Sequence, residues 1–585
     1  MDKRLWLAMV LAILVLFVSD RLFGPKQGPV RTAITEMSDS TSVPASGTRS
    51  GSPDLSAVTT EPASGTFDSM AAAAPSEEMV NQLLTANEPE EITIAGAKYQ
   101  ATLSRRGGVV SSFILAEYTD AENQPANLIR DEEKGVLGLT IETPDGILDL
   151  AETEFHVETR KSGGMTRVEF SAEDANGVRV TKTYLFHPDS LAFRLQLKAS
   201  GIPNGDGAAR YGINWGEGMP LLEVKPAYDQ AGMASVALIG KDFVKDGGAS
   251  MRGMGCSGGG GKKDQWEFEN HDGMIHWAGV RDKYFLGAII PENALDARVR
   301  TERNSGRNIA RTQLIVPVDL DGTVARNFMV YLGPLKHNEL QALGVGLERA
   351  VDLGMKPIIP ISRLVLWCMT TLYKVIPNYG IVILIVSVLA KILMYPLTKK
   401  SLNSMKKMQL VKPEMDEINK KYKDDPQKKQ KAMMALYKEH SINPVGGCLP
   451  MVLQMPIFFA LYSVLYNVIE MRKAPFVFWI KDLSLPDNVG NIMGVPINPL
   501  PVIMTATMIW QQKLTPTDPR QATMAMIMPI MFLFFFYNLP SGLVFYWTVN
   551  NVVSVIQQLW IKRGDKPVSS GKGAERRDYA VASKG

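Results

Sequence analysis

A single charge, Lys391, interrupts the apolar run at residues 380–397, which reads GIVILIVSVLAKILMYPL. A run of this length is sufficient for a tilted membrane-spanning helix. A charged side chain inside hydrocarbon costs at least about 2.5–3.5 kcal/mol on insertion scales, so such residues usually face a water-filled cavity or a partner. The stretch therefore predicts a membrane protein in which Lys391 lies in a hydrophilic recess.

Further apolar stretches on both sides of this run predict a polytopic helical protein. Four of them follow it and contain no Asp, Glu or His: residues 446–469, 492–510, 522–539 and 541–561. Another begins the chain, where Lys3 and Arg4 precede an uncharged run that Leu22 and Phe23 extend to spanning length. No small-x-small cleavage site follows, which favours an uncleaved signal anchor at residues 1–23 over a cleaved signal. We expect six spans, of which the last five form a helical bundle.

Between the first and second spans the sequence changes character twice. Residues 24–90 are rich in Ser, Thr, Ala, Pro and Gly, and a segment that buries so little apolar surface is expected to be a disordered tether. Residues 91–345 show short alternating segments, and the Asn176-Gly177 pair is a strong hairpin signal. Other candidate strands are Leu137–Glu142, Phe193–Leu197, Tyr284–Ile290 and Thr312–Val318. This pattern predicts an all-β sandwich domain.

The β-rich segment has no recognisable catalytic or metal-binding motif. His271 and His276 stand five residues apart in a loop-like stretch, without Cys or carboxylates at metal-ligand spacing. Gly258–Lys263 lacks the glycine spacing and the Ser or Thr of a phosphate loop. The three cysteines of the chain cannot form a disulfide framework. We therefore expect no enzymatic activity, no metal and no cofactor.

Charge distribution predicts the orientation of the spans. Residues 398–445 carry 12 Lys against 6 Asp and Glu, and two helices separated by Asp424-Asp425-Pro426 are expected there. This helical hairpin and the basic tail at residues 562–585 fall in the cytoplasm by the positive-inside rule. The β domain then lies outside, and residues 346–379 form a linker with an amphipathic interfacial helix at Ile361–Val375. Counting six spans places both termini in the cytoplasm.

Three classes of function remain compatible with this organisation. A transporter or channel with an extracytoplasmic binding domain would be expected to carry intramembrane carboxylates or histidines, which the predicted spans lack. A tethered carbohydrate-active enzyme would need paired carboxylates and would leave five spans unexplained. A protein that receives acidic or polar segments fits better, because Ser387, Gln454, Asn550 and Asn551 could surround Lys391 with polar groups. The net charge of only +3 argues against a specific DNA-binding protein.

A set of short motifs then resembles a known family. They occur in order as MYPLTK (394–399), LYK (436–438), INP (442–444), GGCLP (446–450), QMPIF (454–458), FVFWIKDLS (476–484) and PSGLVFYW (540–547). Together they strongly resemble the YidC family of membrane-protein insertases, in its Gram-negative form with a large periplasmic domain. The resemblance implies a β-supersandwich at residues 91–345, a five-span conserved core and a location in the bacterial inner membrane.

The resemblance also implies a function, partners and a site. The protein would insert and help to fold inner-membrane proteins, alone or with the Sec translocon, and would contact nascent chains and membrane lipids. The family's positive charge in a hydrophilic groove is matched by Lys391, where many bacterial relatives have Arg. Its polar position one turn earlier falls on Ser387, and its substrate-facing aromatic positions fall on Phe458 and Trp547. Gln454 is expected to add to the polar lining.

Two further expectations concern the parts outside the spans. The surplus of six positive charges in residues 398–445 predicts contact with ribosomal RNA or anionic lipid, and hence with the ribosome. The β domain is joined to the spans by a tether and an interfacial helix, so its removal is expected to leave most insertion activity intact.

Overall fold

The structure, a computed structural model, describes residues 90–204, 207–247, 265–423, 425–440, 449–514 and 519–564. The predicted N-terminal anchor, nearly all of the tether and Gly258–Lys263 lie outside the described residues. So do Cys256, Cys448 and the basic tail from residue 565 onward. Cys368 is a free thiol.

The β domain consists of short strands from residue 91 onward. They are β1 (Glu91–Ala95), β2 (Tyr99–Ser104), β3 (Val109–Thr119), β4 (Pro125–Asn127), β5 (Gly138–Thr143), β6 (Gly146–Asp149), β7 (His156–Ser162), β8 (Met165–Glu173), β9 (Arg179–Phe186), β10 (Ala192–Ser200), β11 (Arg210–Asn214), β12 (Ala234–Ile239), β13 (Asp242–Gly247), β14 (Trp266–Arg281), β15 (Phe285–Pro291), β16 (Leu295–Asn304), β17 (Ile309–Pro317) and β18 (Val324–Pro334). The predicted turn at Asn176-Gly177 joins β8 to β9, and Gly177 has the positive φ of 82° that such a turn requires.

The strands form two antiparallel sheets. Strands β1 to β4 make a four-stranded sheet in sequence order. The larger sheet has the order β6-β5-β11-β17-β16-β14-β15-β18-β10-β9-β8-β7, with β12 and β13 added beside β14. A core of buried aliphatic and aromatic side chains joins the sheets, including Phe113, Tyr184 and Trp215. The predicted all-β domain is therefore present.

His271 and His276 lie within β14 and not in a loop, so the loop-like interpretation of this segment is wrong. Residues 266–275 of β14 pair with residues 295–304 of β16, and this ladder satisfies the backbone although many side chains on it are polar. Gly273 has a φ of 146° within the strand, a conformation that favours glycine.

Two short helices belong to the β-rich part of the chain: α1 (Pro226–Gly232) lies between β11 and β12, and α2 (His337–Ala342) follows β18. The helical region that comes after them consists of α3 (Ile359–Val375), α4 (Tyr379–Leu410), α5 (Lys412–Lys421), α6 (Pro426–Glu439), α7 (Leu449–Asn467), α8 (Pro499–Leu514), α9 (Pro519–Phe536) and α10 (Ser541–Gly564). Short 3-10 turns occupy Leu347–Ala350 and Ile469–Met471, and a hairpin of β19 (Gly490–Ile492) and β20 (Val495–Ile497) precedes α8. The apolar stretch expected to span from residue 492 therefore becomes helical only at Pro499.

Helix α4 is longer than the apolar run that predicted it. It continues through Pro396 to Leu410, so the first Lys residues after the run are helical. The side chain of Thr398 donates a hydrogen bond to the Met394 carbonyl at 3.0 Å, just past the proline. After α5, the side chain of Asp425 caps α6 by accepting a hydrogen bond from the Lys428 backbone N–H at 3.0 Å.

Within the described residues, one helical segment is long and apolar enough to cross a membrane, Tyr379–Ser401 of α4. A shorter apolar helical segment, Ile527–Phe536, lies in α9. Large apolar side chains are exposed on several helices, among them Leu393 on α4, Phe534 on α9 and Trp560 on α10. Exposed apolar side chains on several helices are what contact with lipid would require.

A second hydrophobic cluster connects the β domain to the helices. It contains Trp277 of β14 and Leu347 of the first 3-10 turn. It continues without a break to Leu366 of α3, Leu461 of α7 and Met504 of α8. Because buried apolar contacts stabilise the elements they join, this second cluster holds one part of the β domain against the helices.

Candidate functional site

Lys391 lies on α4 and faces α10. Its Nζ donates a hydrogen bond to the Ser554 Oγ at 2.8 Å, and that hydroxyl donates in turn to the Asn550 carbonyl at 2.8 Å. The side chain of Gln557 donates to the Lys391 carbonyl at 3.3 Å. An ammonium group has three N–H donors, and Ser554 accepts from one of them. The ammonium therefore keeps donors that can bind a further acceptor.

A small recess opens beside Lys391 between α4, α7 and α10. Its lining residues are Ala390, Lys391, Met394, Leu397, Thr398, Gln454, Ile457, Tyr546 and Asn550. Among the residues that the structure describes, Lys391 is the only charged residue in this lining. The lining combines this charge with neutral hydroxyl and amide groups and an apolar wall. Such a recess can attract an anionic or polar group without carrying a fixed counter-charge.

The structure brings together only some of the residues predicted for this site. Lys391 and Gln454 line the recess from different helices, as does Asn550. Ser387 does not line it, because its buried hydroxyl donates to the Ile383 carbonyl of its own helix at 2.6 Å. The Ser387 hydroxyl proton is thus used within α4, and the buried side chain does not reach the lining.

Phe458 and Trp547 contact each other next to the recess and not in its lining. Their ring centroids are 4.8 Å apart in an edge-to-face arrangement. Trp547 also contacts Phe532 and Phe536 of α9, with centroid distances of 5.7 and 5.2 Å. The residues that line the recess are instead Ile457 and Tyr546, which directly precede Phe458 and Trp547 in the sequence. The aromatic group therefore holds α7, α9 and α10 together behind the lining.

Sequence reasoning missed Ser554, Thr398 and Tyr546. Ser554 follows Asn550 by four residues, which places both on one face of α10. That spacing was a usable signal once Asn550 was considered as a lining residue. Tyr546 precedes Asn550 by the same four residues, but an aromatic residue in an apolar helix is most often a packing residue, so that spacing was a weaker signal for it.

A second group of functional interest joins the β domain to the segment after α7. We call it the Arg472 cluster, and it comprises Glu223, Asp229, Asp282, Lys283, Arg472, Lys473 and Asp482. Arg472 forms an ion pair with Glu223, and the two side chains are only 3% and 5% exposed. Arg472 also donates to the Thr119 carbonyl at 2.6 Å. The Nζ of Lys473 donates to the Thr119 Oγ1 at 2.7 Å and to the Asp120 carbonyl at 2.6 Å.

Burial changes the ionisation of this cluster. Removal from water raises the pKa of the Asp229 carboxyl, and the nearby Asp282 carboxylate raises it further. Burial likewise raises the pKa of Asp282, although it accepts hydrogen bonds from two backbone N–H groups. Burial lowers the pKa of Lys283 to about 8. The cluster is thus a desolvated charge network, in which losing one member leaves others uncompensated.

The sequence matches known proteins along nearly its whole length. Residues 91–367 match the family described as YidC periplasmic domain, and residues 371–568 match the family described as 60Kd inner membrane protein. The membrane protein insertase YidC of Pelobacter propionicus is 33% identical over 586 residues, which cover 96% of this chain and 99% of that protein. The YidC of Syntrophus aciditrophicus is 32% identical over 580 residues, covering 96% and 100%.

Among solved structures, the chain aligns with an active YidC insertase whose first transmembrane domain is resolved. The alignment has 19% identity and a TM-score of 0.34, and it covers 80% of this chain and 92% of that one. A TM-score of this size supports no inference about the fold, whereas the full-length identity to curated insertases is sufficient to assign the family. This chain belongs to the YidC family of membrane protein insertases.

Proposed function

We propose that this protein inserts and helps to fold inner-membrane proteins by receiving their polar segments in the recess around Lys391. The family is one of inner-membrane insertases with a periplasmic domain, which favours this function over a transporter, a channel or a carbohydrate-active enzyme. The observation that supports the proposal is that the described lining residues of the recess include one positive charge and no acidic residue. Lys391, Gln454, Asn550 and Ser554 would bind the incoming segment.

The first step is electrostatic. A charge of one sign in a partly desolvated recess raises the local concentration of groups of the opposite sign. Carboxylates of a translocated segment would replace water at the Lys391 ammonium, while Ser554 holds the ammonium toward α10. No covalent step is required, and the protein acts as a binding surface and not as an enzyme.

The second step is apolar. Met394 and Leu397 of α4 and Ile457 of α7 contribute apolar side chains to the lining. Further apolar side chains of α4 are exposed, namely Leu389, Ile392 and Leu393. The apolar helix of a client would move along these side chains into lipid. Burial of apolar surface yields about 25 cal/mol per Å², so release of the client into the bilayer is favourable.

The wider arrangement is part of the same proposal. Six spans would place both termini in the cytoplasm and the β domain in the periplasm, with the first span at residues 1–23 and the last four within residues 446–561. The Lys-rich hairpin at residues 398–445 would lie over the cytoplasmic mouth of the recess and contact the ribosome or anionic lipid. Cooperation with the Sec translocon would serve clients that have large translocated domains. Phe458 and Trp547 would support the lining, and Ser387 would stabilise α4 without touching the client.

The proposal is tested by insertion assays in cells depleted of the wild-type protein, with single-span clients that differ only in the charge of the translocated segment. Lys391→Arg is expected to retain insertion, because it keeps the charge. Lys391→Glu is expected to impair acidic clients most, because two negative groups repel each other in a partly desolvated recess.

The control applies the same charge reversal to an exposed residue of the same helix, Lys400→Glu. This variant is expected to insert acidic and neutral clients with the same relative efficiency as the wild type. If Lys391→Glu inserts acidic and neutral clients equally well while remaining stably expressed, electrostatic attraction in the recess is the wrong mechanism.

A further inference from the structure

Three potential metal ligands converge in the β domain, far in sequence from the recess residues. Glu269 and His271 are two residues apart on β14, so their side chains lie on the same face of that strand. Asp246 comes from β13. The Nε2 of His271 lies 2.7 Å from the Asp246 Oδ2 and 3.7 Å from the Glu269 Oε2. All three ligand atoms lie within 4.8 Å of one another.

These distances suit a transition-metal ion. Two ligands of a tetrahedral Zn²⁺ ion, each about 2.1 Å from the metal, lie about 3.4 Å apart. The distances from the His271 Nε2 to the two carboxylate oxygens fall on either side of that value, so small side-chain rotations would bring these atoms to tetrahedral ligand spacing. One imidazole and two carboxylates are a donor set that Zn²⁺ accepts. The site is also reachable, since the side chains of His271, Asp246 and Glu269 are 23%, 20% and 65% exposed.

The surroundings of the two carboxylates point the same way. Two nearby acidic residues pair with arginines: Asp272 of β14 pairs with Arg298, and Glu302 of β16 pairs with Arg300. Among the residues that the structure describes, Asp246 and Glu269 have ion-pair contacts with His271 only. Two carboxylates beside one imidazole leave an excess of negative charge that a divalent cation would neutralise.

A buried hydroxyl orients one of the ligands. Thr301 of β16 is 3% exposed, and its Oγ1 donates a hydrogen bond to the Asp246 Oδ2 at 2.8 Å. Partners of this kind fix the orientation of metal-ligating carboxylates in known sites. The hydrogen bond from Thr301 also means that the protein holds the Asp246 carboxylate in place before any ion binds.

We propose that Asp246, Glu269 and His271 form a binding site for Zn²⁺ or a similar divalent transition metal, with water completing the coordination. The ion would join β13 to β14. In the sheet β13 pairs only with β12, so it is an edge strand among the described residues. An ion at this point would hold the edge strand and limit its pairing with other chains. The simpler possibility is a charge-assisted hydrogen bond between His271 and Asp246, and the experiment separates the two.

The test uses the full-length protein, purified without a polyhistidine tag and in a Cys256→Ser background. That substitution removes the thiol that lies between β13 and β14 in the sequence. Zn²⁺ content is measured after equilibrium dialysis, and Co²⁺ is used as a spectroscopic probe with Zn²⁺ competition. We expect one ion per chain in the background protein that is absent from His271→Ala. Thr301→Val is expected to weaken binding about tenfold, as loss of an orienting partner commonly does.

The matched control is His276→Gln, which removes an exposed histidine from the same strand and should leave binding unchanged. Adding Zn²⁺ should slow hydrogen exchange in Asp242–Gly247 of the background protein and of the His276→Gln variant. It should leave exchange in the His271→Ala variant unchanged. Thermal unfolding in chelator must show that each variant is folded. Failure of the background protein to bind Zn²⁺, or equal binding by folded His271→Ala, would overturn the proposal and leave the ion pair as the explanation.

Discussion

Replacing Arg472 by methionine tests whether the β domain is held to the helical region by the Arg472 cluster. Methionine fills much of the same volume but removes the guanidinium that pairs with Glu223 and donates to the Thr119 carbonyl. Both members of the ion pair are at most 5% exposed, so water cannot easily replace the lost partner. Breaking a buried pair by removing one member costs about 3–5 kcal/mol.

This loss of stabilising free energy should make the contact between the β domain and the segment after α7 open more often. A change of 1.36 kcal/mol corresponds to tenfold in an equilibrium constant, so a loss of about 3 kcal/mol or more raises the open population at least about a hundredfold. Hydrogen–deuterium exchange of the full-length protein measures it directly, in peptides covering residues 468–485 and 118–124. Exchange in both should accelerate together, because the same contact protects them.

The matched control is Lys473→Met, which removes the adjacent charge. Lys473 bonds to neutral acceptors and is partly accessible to water, so its loss should cost only about 1 kcal/mol. The double variant Glu223→Gln with Arg472→Met should cost less than the sum of the single variants, because neither partner is then left charged and alone. Equal exchange rates in Arg472→Met and Lys473→Met, or strict additivity in the double variant, would refute the reasoning.

Three other outcomes can be checked independently. Burial lowers the pKa of Lys182 to about 7, so between pH 7 and 10 the unfolded chain binds more protons than the folded protein, and the free energy of unfolding should rise with pH. Lys182→Met should abolish this rise in urea unfolding, and it also removes the hydrogen bonds to the Gly107 and Leu137 carbonyls. Deleting residues 420–431 should reduce insertion while protease mapping shows an unchanged topology; full activity would mean that these charges only set orientation. Trp547→Ala should destabilise the helical region by about 3–5 kcal/mol in thermal unfolding, and Trp547→Phe by clearly less, because the cavity is smaller. Equal effects of the two Trp547 variants would argue against the packing role.

Local signals in the sequence were sufficient for several elements. The Asn176-Gly177 turn, the alternating strands and the amphipathic helix before α4 follow from patterns within about 20 residues, and the structure has elements at these places. The pairing of distant strands did not follow. Strand β10 pairs with β18, and β11 pairs with both β5 and β17. Such neighbours are selected by packing of the whole core, which no local pattern contains.

The recess shows the same division. Lys391 was identified because a charge in an apolar run is energetically costly on its own, whatever surrounds it. For Ser387, spacing alone could not reveal that its hydroxyl donates to the Ile383 carbonyl of the same helix. The proposed metal ligands were missed because Asp246 and His271 belong to different strands and meet only in the folded sheet.

The attachment of the β domain also differs from the expectation. The sequence predicted connections only through the tether and the interfacial helix, which made the domain appear separable. The Arg472 cluster and the shared hydrophobic cluster add contacts from residues far beyond the interfacial helix. Removing the domain would therefore uncover Arg472 and the apolar side chains around Leu366. A deletion that begins at Glu91 should be combined with Arg472→Met before its activity is interpreted.

The order of synthesis sets a time at which the Glu223–Arg472 pair can first form. The two residues are 249 positions apart in the chain. At about 5–20 residues per second, roughly 12–50 s pass between the synthesis of one and that of the other. During that interval Glu223 lacks its partner, and the contact can close only after the segment that follows α7 has been made. A short segment between two membrane helices would thus complete the packing of a domain synthesised well before it.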